Sequence, residues 1–320
     1  MNDFRLRTDI QRACIGDFAL PLGLVPDAID PPLVGYTLDY TQGDEERDEP
    51  DTYTFYIVTS HERLKLLVDR MLDFLPERVH AILEVGSRDA YRALDVFMAP
   101  EAIDSRGFRE VWEAFEPFLL EDGSIGAGAN SDDPFVEIFL DQWKGLSVHV
   151  PLLMRDDVEA VLAEFGLQAV PETWPVMDED TANRSLKLRS VLAGDDDTGA
   201  SLEDLLLELR HGWELELNVD PETNVDDSGR DLGPTLWHTL VIVESSEDPA
   251  QSAYASIWAT ARSLAEMDEL IDDALSDLPE WRVTDVYTID RVAYDERPDA
   301  LDDLPPRRKD AAVHLVELER

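Results

Sequence analysis

Glu214, Glu216 and Asn218 alternate along a short apolar run, with His211 just before it and His238 in the next apolar run. If both runs are strands, the two-residue period puts the three polar side chains on one face, where two imidazoles can join them. Carboxylates and imidazoles brought together in this way serve general acid–base catalysis or hold a metal. The simpler reading is a solvated sheet face, with Trp213, Leu215, Leu217 and Val219 forming the buried one. The loop between the runs offers a second chemistry. Asp220, Glu222, Asn224 and Asp226 place oxygen-bearing side chains at alternate positions, which suits a hard divalent cation such as calcium. It departs from an EF-hand: Val225 stands where glycine is required, Asp231 closes the loop in place of glutamate, and strands are expected on both sides.

Other reactive residues form no familiar set. Gly123 to Asn130 is rich in glycine, but the residues after it read as a strand, whereas a phosphate cradle must open a helix, so an ordinary turn is expected. Walker, nucleophile-elbow and His-Glu-x-x-His signatures are absent from the sequence, and the histidines are scattered. Cys14 is the single cysteine; it excludes an internal disulfide, and a packed side chain is expected of it.

The elements that must position these groups follow from hydrophobic periodicity. Val34 to Thr41, Tyr53 to Thr59 and Val79 to Val85 read as strands. Leu64, Leu67, Val68, Met71, Leu72 and Leu75 recur at helical spacing between Ser60 and Pro76. Helices are expected over 90–97 and 108–119, a hairpin from Phe135 to Val150, and a helix ending at Gly166 as a left-handed cap. The chain is polar and irregular from 171 to 199. This places a boundary near 195 and predicts two domains, 1–195 and 196–320. The second domain predicts a helix over 202–209, strands over 213–219, 236–244, 254–261 and 282–289, and a last strand over 312–318. A helix over 264–278 has a capping-box pattern in Ser263 and Glu266.

A shift of 203 residues lays Ser60 on Ser263, Asp69 on Asp272, Pro76 on Pro279, Glu77 on Glu280, Arg88 on Arg291 and Tyr91 on Tyr294. These matches lie outside the apolar stripe that any two amphipathic helices share, so an internal duplication is expected. The fold class is α+β: antiparallel or mixed sheets with helices on one face, in ferredoxin-like halves.

Charge bounds the partners. Seventy-one Asp and Glu against 27 Lys and Arg give a net charge of −44. Such a field repels phosphate backbones and anionic lipid, so neither nucleic acid nor a membrane is expected as partner, and it attracts basic proteins. The same acidity also serves simply to keep a chain hydrated in salt. The N-terminus carries Asp3, Asp9 and Asp17 where an export signal needs an unbroken apolar run, so a soluble cytoplasmic protein is expected. The sequence therefore predicts a non-enzymatic, acidic protein that binds a basic protein, of regulatory or toxin-neutralising type. The rival is a metal-dependent enzyme or cation-binding protein using the residues named first. No resident cofactor is expected beyond that divalent cation.

Overall fold

The computed structural model describes residues 4–27, 29–43, 50–174, 186–193, 201–248, 251–276, 278–305 and 309–319. They form a mixed α+β structure with antiparallel sheets. The chain divides into two compact units: residues 1–85 with 96–217, and residues 86–95 with 218–320. The division thus falls at 217/218 instead of near 195, and a ten-residue excursion from the first half belongs to the second unit. Most of the polar stretch that suggested the earlier boundary lies outside the described residues.

The first unit is built on strands β1 (Gly35–Thr41), β2 (Thr52–Val58), β3 (Arg78–Gly86), β4 (Leu94–Met98), β5 (Ile125–Asp132), β6 (Phe135–Leu140), β7 (Leu146–Pro151) and β8 (Glu216–Leu217). They lie in the order β8–β4–β3–β5–β6–β7–β2–β1, with Ile103–Asp104 pairing β3 off this path. The predicted hairpin is the β6–β7 pair, Ile138 opposite Val148. Four antiparallel steps separate β3 from β2, so these two strands run parallel, and a helix is the connection such a pair needs. Helix α1 (His61–Leu72) supplies it, burying Leu64, Leu67, Val68, Met71 and Leu72. Helix α2 (Ser105–Glu121) adds Phe108, Trp112, Phe115 and Phe118 to the same core, and α3 (Arg155–Glu164) adds Val158, Val161 and Leu162 before Gly166 turns left-handed at φ 65°. Helix α4 (Leu202–Gly212) starts at a capping box in which Ser201 accepts from the Asp204 amide and Asp204 accepts from the Ser201 amide.

The second unit holds β9 (Thr235–Ser245), β10 (Ser252–Ala261), β11 (Trp281–Val292) and β12 (Ala312–Glu319), all antiparallel in the order β11–β9–β10–β12. Helix α5 (Leu264–Ser276) follows β10 and buries Met267, Ile271, Ala274 and Leu275 against Val241, Val243, Ala253, Ala255, Ile257 and Ala259. Its cap is half of the expected box: Ser263 Oγ accepts from the Glu266 amide, while the Glu266 carboxylate takes the Arg262 amide.

Four expectations change. Residues 90–97 are a turn and the start of β4 instead of a helix, because Asp89 folds back to accept the Tyr91 amide. The glycine-rich stretch is a sheet-interior strand, β5; a Cβ on Gly128 would meet the Ile138 carbonyl oxygen at 2.1 Å, so glycine is what lets β6 lie close. Residues 213–219 are not a continuous strand. Trp213 ends α4 and is buried against α2, its Nε1 donating to the Phe108 carbonyl and its ring stacked 5.2 Å from Phe108. Finally, the two units differ in connectivity. In the second, the strand after the helix pairs with the first strand of the preceding hairpin; in the first, β5, β6, β7 and β2 stand between the corresponding strands β3 and β1. The second unit, with one α-helix among its described residues, has four strands in an order that is not the ferredoxin-like βαββαβ.

Candidate functional site

The residues first singled out are placed on different elements. His211 lies in the last turn of α4, and Glu214 follows it with φ 56°, a left-handed residue that breaks the two-residue alternation. Glu216 is in β8, which pairs with β4 opposite Met98. His238 is in β9, whose partners are β10 and β11. The strand pairing that was to bring the four together is not formed, and Asn218 opens the second unit. The loop carboxylates serve the backbone. Asp220 accepts the Glu222 amide, and Asp226 accepts from the amides of Ser228 and Arg230 and from the Ser228 hydroxyl. Asn224 is buried and committed: its Oδ1 accepts from Arg291, and its Nδ2 donates to the Gly233 carbonyl and Thr235 Oγ1. Among the described residues no group of three or more His, Cys, Asp or Glu is placed to hold a metal ion. Cys14, expected to be packed, is exposed.

Three buried charges that the sequence did not flag are each spent on holding structure. In the second unit Arg291 is 4% exposed and pairs with Asp89, which is fully buried, at 2.7 Å. Arg291 also donates to Asn224 Oδ1 and the Val225 carbonyl, and its guanidinium lies over the rings of Tyr91 and Trp237. In the first unit Glu121 receives both Arg12 Nη atoms and the Leu22 amide, with His61 Nε2 at 3.1 Å. Burial alone would raise its pKa, but the hydrogen bonds from His61 and Arg12 win and hold it down at about 2. Lys144, buried and left-handed at φ 63°, donates Nζ to the Ile125 carbonyl. Burial lowers its pKa to about 8 against the pull of Asp122, Asp141 and Glu121. Its turn is tied by Asp141, which accepts from Tyr56 Oη and from the amides of Trp143 and Gly145. A lowered lysine beside an aspartate and a tyrosine is the composition of a reactive centre, but with Lys144 at 4% exposure a substrate has no approach to its amine.

A further arrangement, on one sheet face, reaches solvent at Tyr254, Glu317 and Glu319. In the second unit α5 covers one side of the sheet, and the described residues put no α-helix on the other. Cross-strand register assigns His238, Leu240 and Ile242 of β9, Tyr254, Ser256 and Trp258 of β10, Asp290 of β11, and Leu315, Glu317 and Glu319 of β12 to that other side. His238 stacks on Trp258 with centroids 4.2 Å apart and shares a hydrogen bond with Ser256 Oγ at 3.0 Å. Tyr254 meets Tyr287 at 5.4 Å. Trp258 and His238 are half-buried, Tyr254 is 39% exposed, and Glu317 and Glu319 are exposed.

Searches of the chain against protein-family models, curated proteins and solved structures return no match. Chemistry on the face is therefore read from its own groups. Burial lowers the His238 pKa, partly offset by Glu319, which keeps the imidazole neutral against the indole near pH 7. Burial raises Asp290 to about 6, helped by Asp95 and Asp89 and opposed by Arg92 and Arg88. The signal for the face was present in the sequence. Residues 253–261 alternate alanine with larger or polar side chains, and Ala253, Ala255, Ala259 and Ala261 mark the side a helix approaches closely. The rings on the alternate positions are then on the side without it. No helix among the described residues is long and apolar enough to cross a membrane.

Proposed function

We propose that this chain binds a basic protein through the uncovered face of its second sheet, as a non-enzymatic regulatory or toxin-neutralising protein. The observation that carries this reading is the pairing of half-exposed rings, Trp258 on His238 and Tyr254 on Tyr287, with exposed carboxylates at Glu317 and Glu319. Aromatic rings beside carboxylates suit a guanidinium, which stacks on the first and pairs with the second. The net charge of −44 adds long-range attraction that speeds encounter and weakens with salt.

Titration of the purified chain with a fluorescent arginine-rich peptide, and with its lysine counterpart, tests this. The arginine peptide is expected to bind more tightly, and Trp258→Ala to weaken it while leaving the fold intact by circular dichroism. Equal binding of the arginine peptide by wild type and Trp258→Ala, in a folded variant, sinks the assignment of the face.

A further inference from the structure

β12 ends the second sheet: its inner edge pairs with β10, and among the described residues no strand pairs with its outer edge. Its two faces differ in chemistry. Val313, Val316 and Leu318 stand opposite Ala259, Ile257 and Ala255 on the α5 side, where with Asp273, Ala274 and Leu278 they line a hollow of about 410 Å³. Leu315, Glu317 and Glu319 stand opposite Trp258, Ser256 and Tyr254 on the uncovered side. From Leu315 to Glu319 the register with β10 is regular, the one irregularity lying between Trp258 and Ala259. The other edge strand, β11, shifts register twice against β9, and such bulges turn an edge away from further pairing.

We propose that β12 is the edge on which this protein adds a strand from its partner, an extended segment that alternates apolar residues with arginine or lysine. This rests on the basic-partner reading above and specifies how that partner docks. Main-chain hydrogen bonds along Leu315–Glu319 supply affinity, and the two faces supply selection. The partner's apolar side chains enter the hollow beside Ala274 and Leu278, and its basic side chains reach Glu317 and Glu319. Asp273 offers a further carboxylate at the rim of the hollow. A second copy of this chain is a poor occupant, because it brings the same −44 charge to the edge.

The test uses the intact protein and an acetylated, amidated peptide of about eight residues, close to a common strand length, alternating valine and arginine. Fluorescence anisotropy measures its affinity, and hydrogen exchange locates it. Tight binding with protection of the β12 amides is expected. A version methylated on alternate peptide nitrogens, which removes backbone donors and keeps every side chain, is expected to bind at least about tenfold more weakly. A version with glutamate for arginine is expected not to bind. Equal affinity of the methylated peptide, or protection of other strands with β12 unchanged, overturns edge pairing and leaves the aromatic-face reading standing. No binding of the valine–arginine peptide, or equal binding of the glutamate peptide, also overturns the proposal; the separate Trp258→Ala comparison then decides the face.

Discussion

The two sides of the second sheet are made from the same strands and obey opposite rules. On the α5 side the side chains are dry: Trp237, Ala253, Ala255, Ile257, Ala259, Val241 and Val243 are buried, and Arg291 is enclosed by Asp89, Asn224 and Val225. On the other side Leu236, Ser256 and Thr260 are buried too, but His238, Trp258 and Tyr287 are half-buried and Tyr254, Glu317 and Glu319 exposed, giving two ring pairs beside carboxylates. The first side is therefore where stability resides, since close packing and satisfied buried charge leave no freedom. The second keeps apolar and charged surface in contact with water, a cost that the proposed basic partner would remove. The buried-charge centres of the first unit, at Glu121 and Lys144, follow the rule of the α5 side.

That contrast is broken most directly at Arg291. Arg291→Met leaves the buried Asp89 with only the more distant Arg92 at 3.9 Å and is expected to cost about 3 kcal/mol in urea unfolding, whereas replacing both Arg291 and Asp89 by apolar residues costs much less. Another covered-face change, Ile257→Ala, is expected to cost about 2–5 kcal/mol through the cavity it leaves. Its neighbour on the open side, Trp258→Ala, should cost clearly less stability than Ile257→Ala and yet be the one that loses the arginine-rich peptide; the reverse ranking would mean the faces have been assigned the wrong way round.

Titration sharpens the comparison. Asp290 on the open side has its folded pKa raised to about 6, so the folded state holds the proton more tightly than the unfolded chain. Its favourable contribution is complete below the usual aspartate pKa near 4 and is lost as pH rises through about 6. Asp290→Asn should thus stabilise the protein at pH 7 by up to about 3 kcal/mol and have little effect at pH 4, as thermal melts at the two pH values will show. His238 on the facing strand works the other way. Its folded pKa lies below the usual value, so its contribution is present above about pH 6.5 and fades as pH falls. The smallest effect is expected at the exposed carboxylates. Glu317→Gln with Glu319→Gln should change stability by no more than about 0.5 kcal/mol, but flatten the salt dependence of the association rate for basic peptides in stopped-flow measurements.

Much of the architecture was legible from local pattern. Helix α1 was readable because Leu64, Leu67, Val68, Met71 and Leu72 already lie on one side of a 3.6-residue repeat. The β6–β7 and β9–β10 strands were readable because their apolar residues alternate or run continuously between turn residues. Local pattern failed where a distant contact decides. Trp213, Leu215 and Leu217 alternate as a strand would, but burial of Trp213 against Phe108 of α2 fixes the end of α4, and Glu214 takes the left-handed turn that follows. Gly126 and Gly128 read as a turn because glycine is flexible in isolation. In the sheet they are the positions where β6 comes too near for a side chain.

The amino-acid sequence alone set the class of the fold, the amphipathic helices, most of the strands and the net charge of −44, because these depend on periodicity and composition. Tertiary structure decided the rest. Which of two nearly apolar faces of β9 and β10 receives α5, that Asp89 crosses some 200 positions of sequence to neutralise Arg291, and that β12 is left at the edge all depend on strand order. Strand order is settled by the packing of whole elements against one another, and no short stretch of sequence contains it.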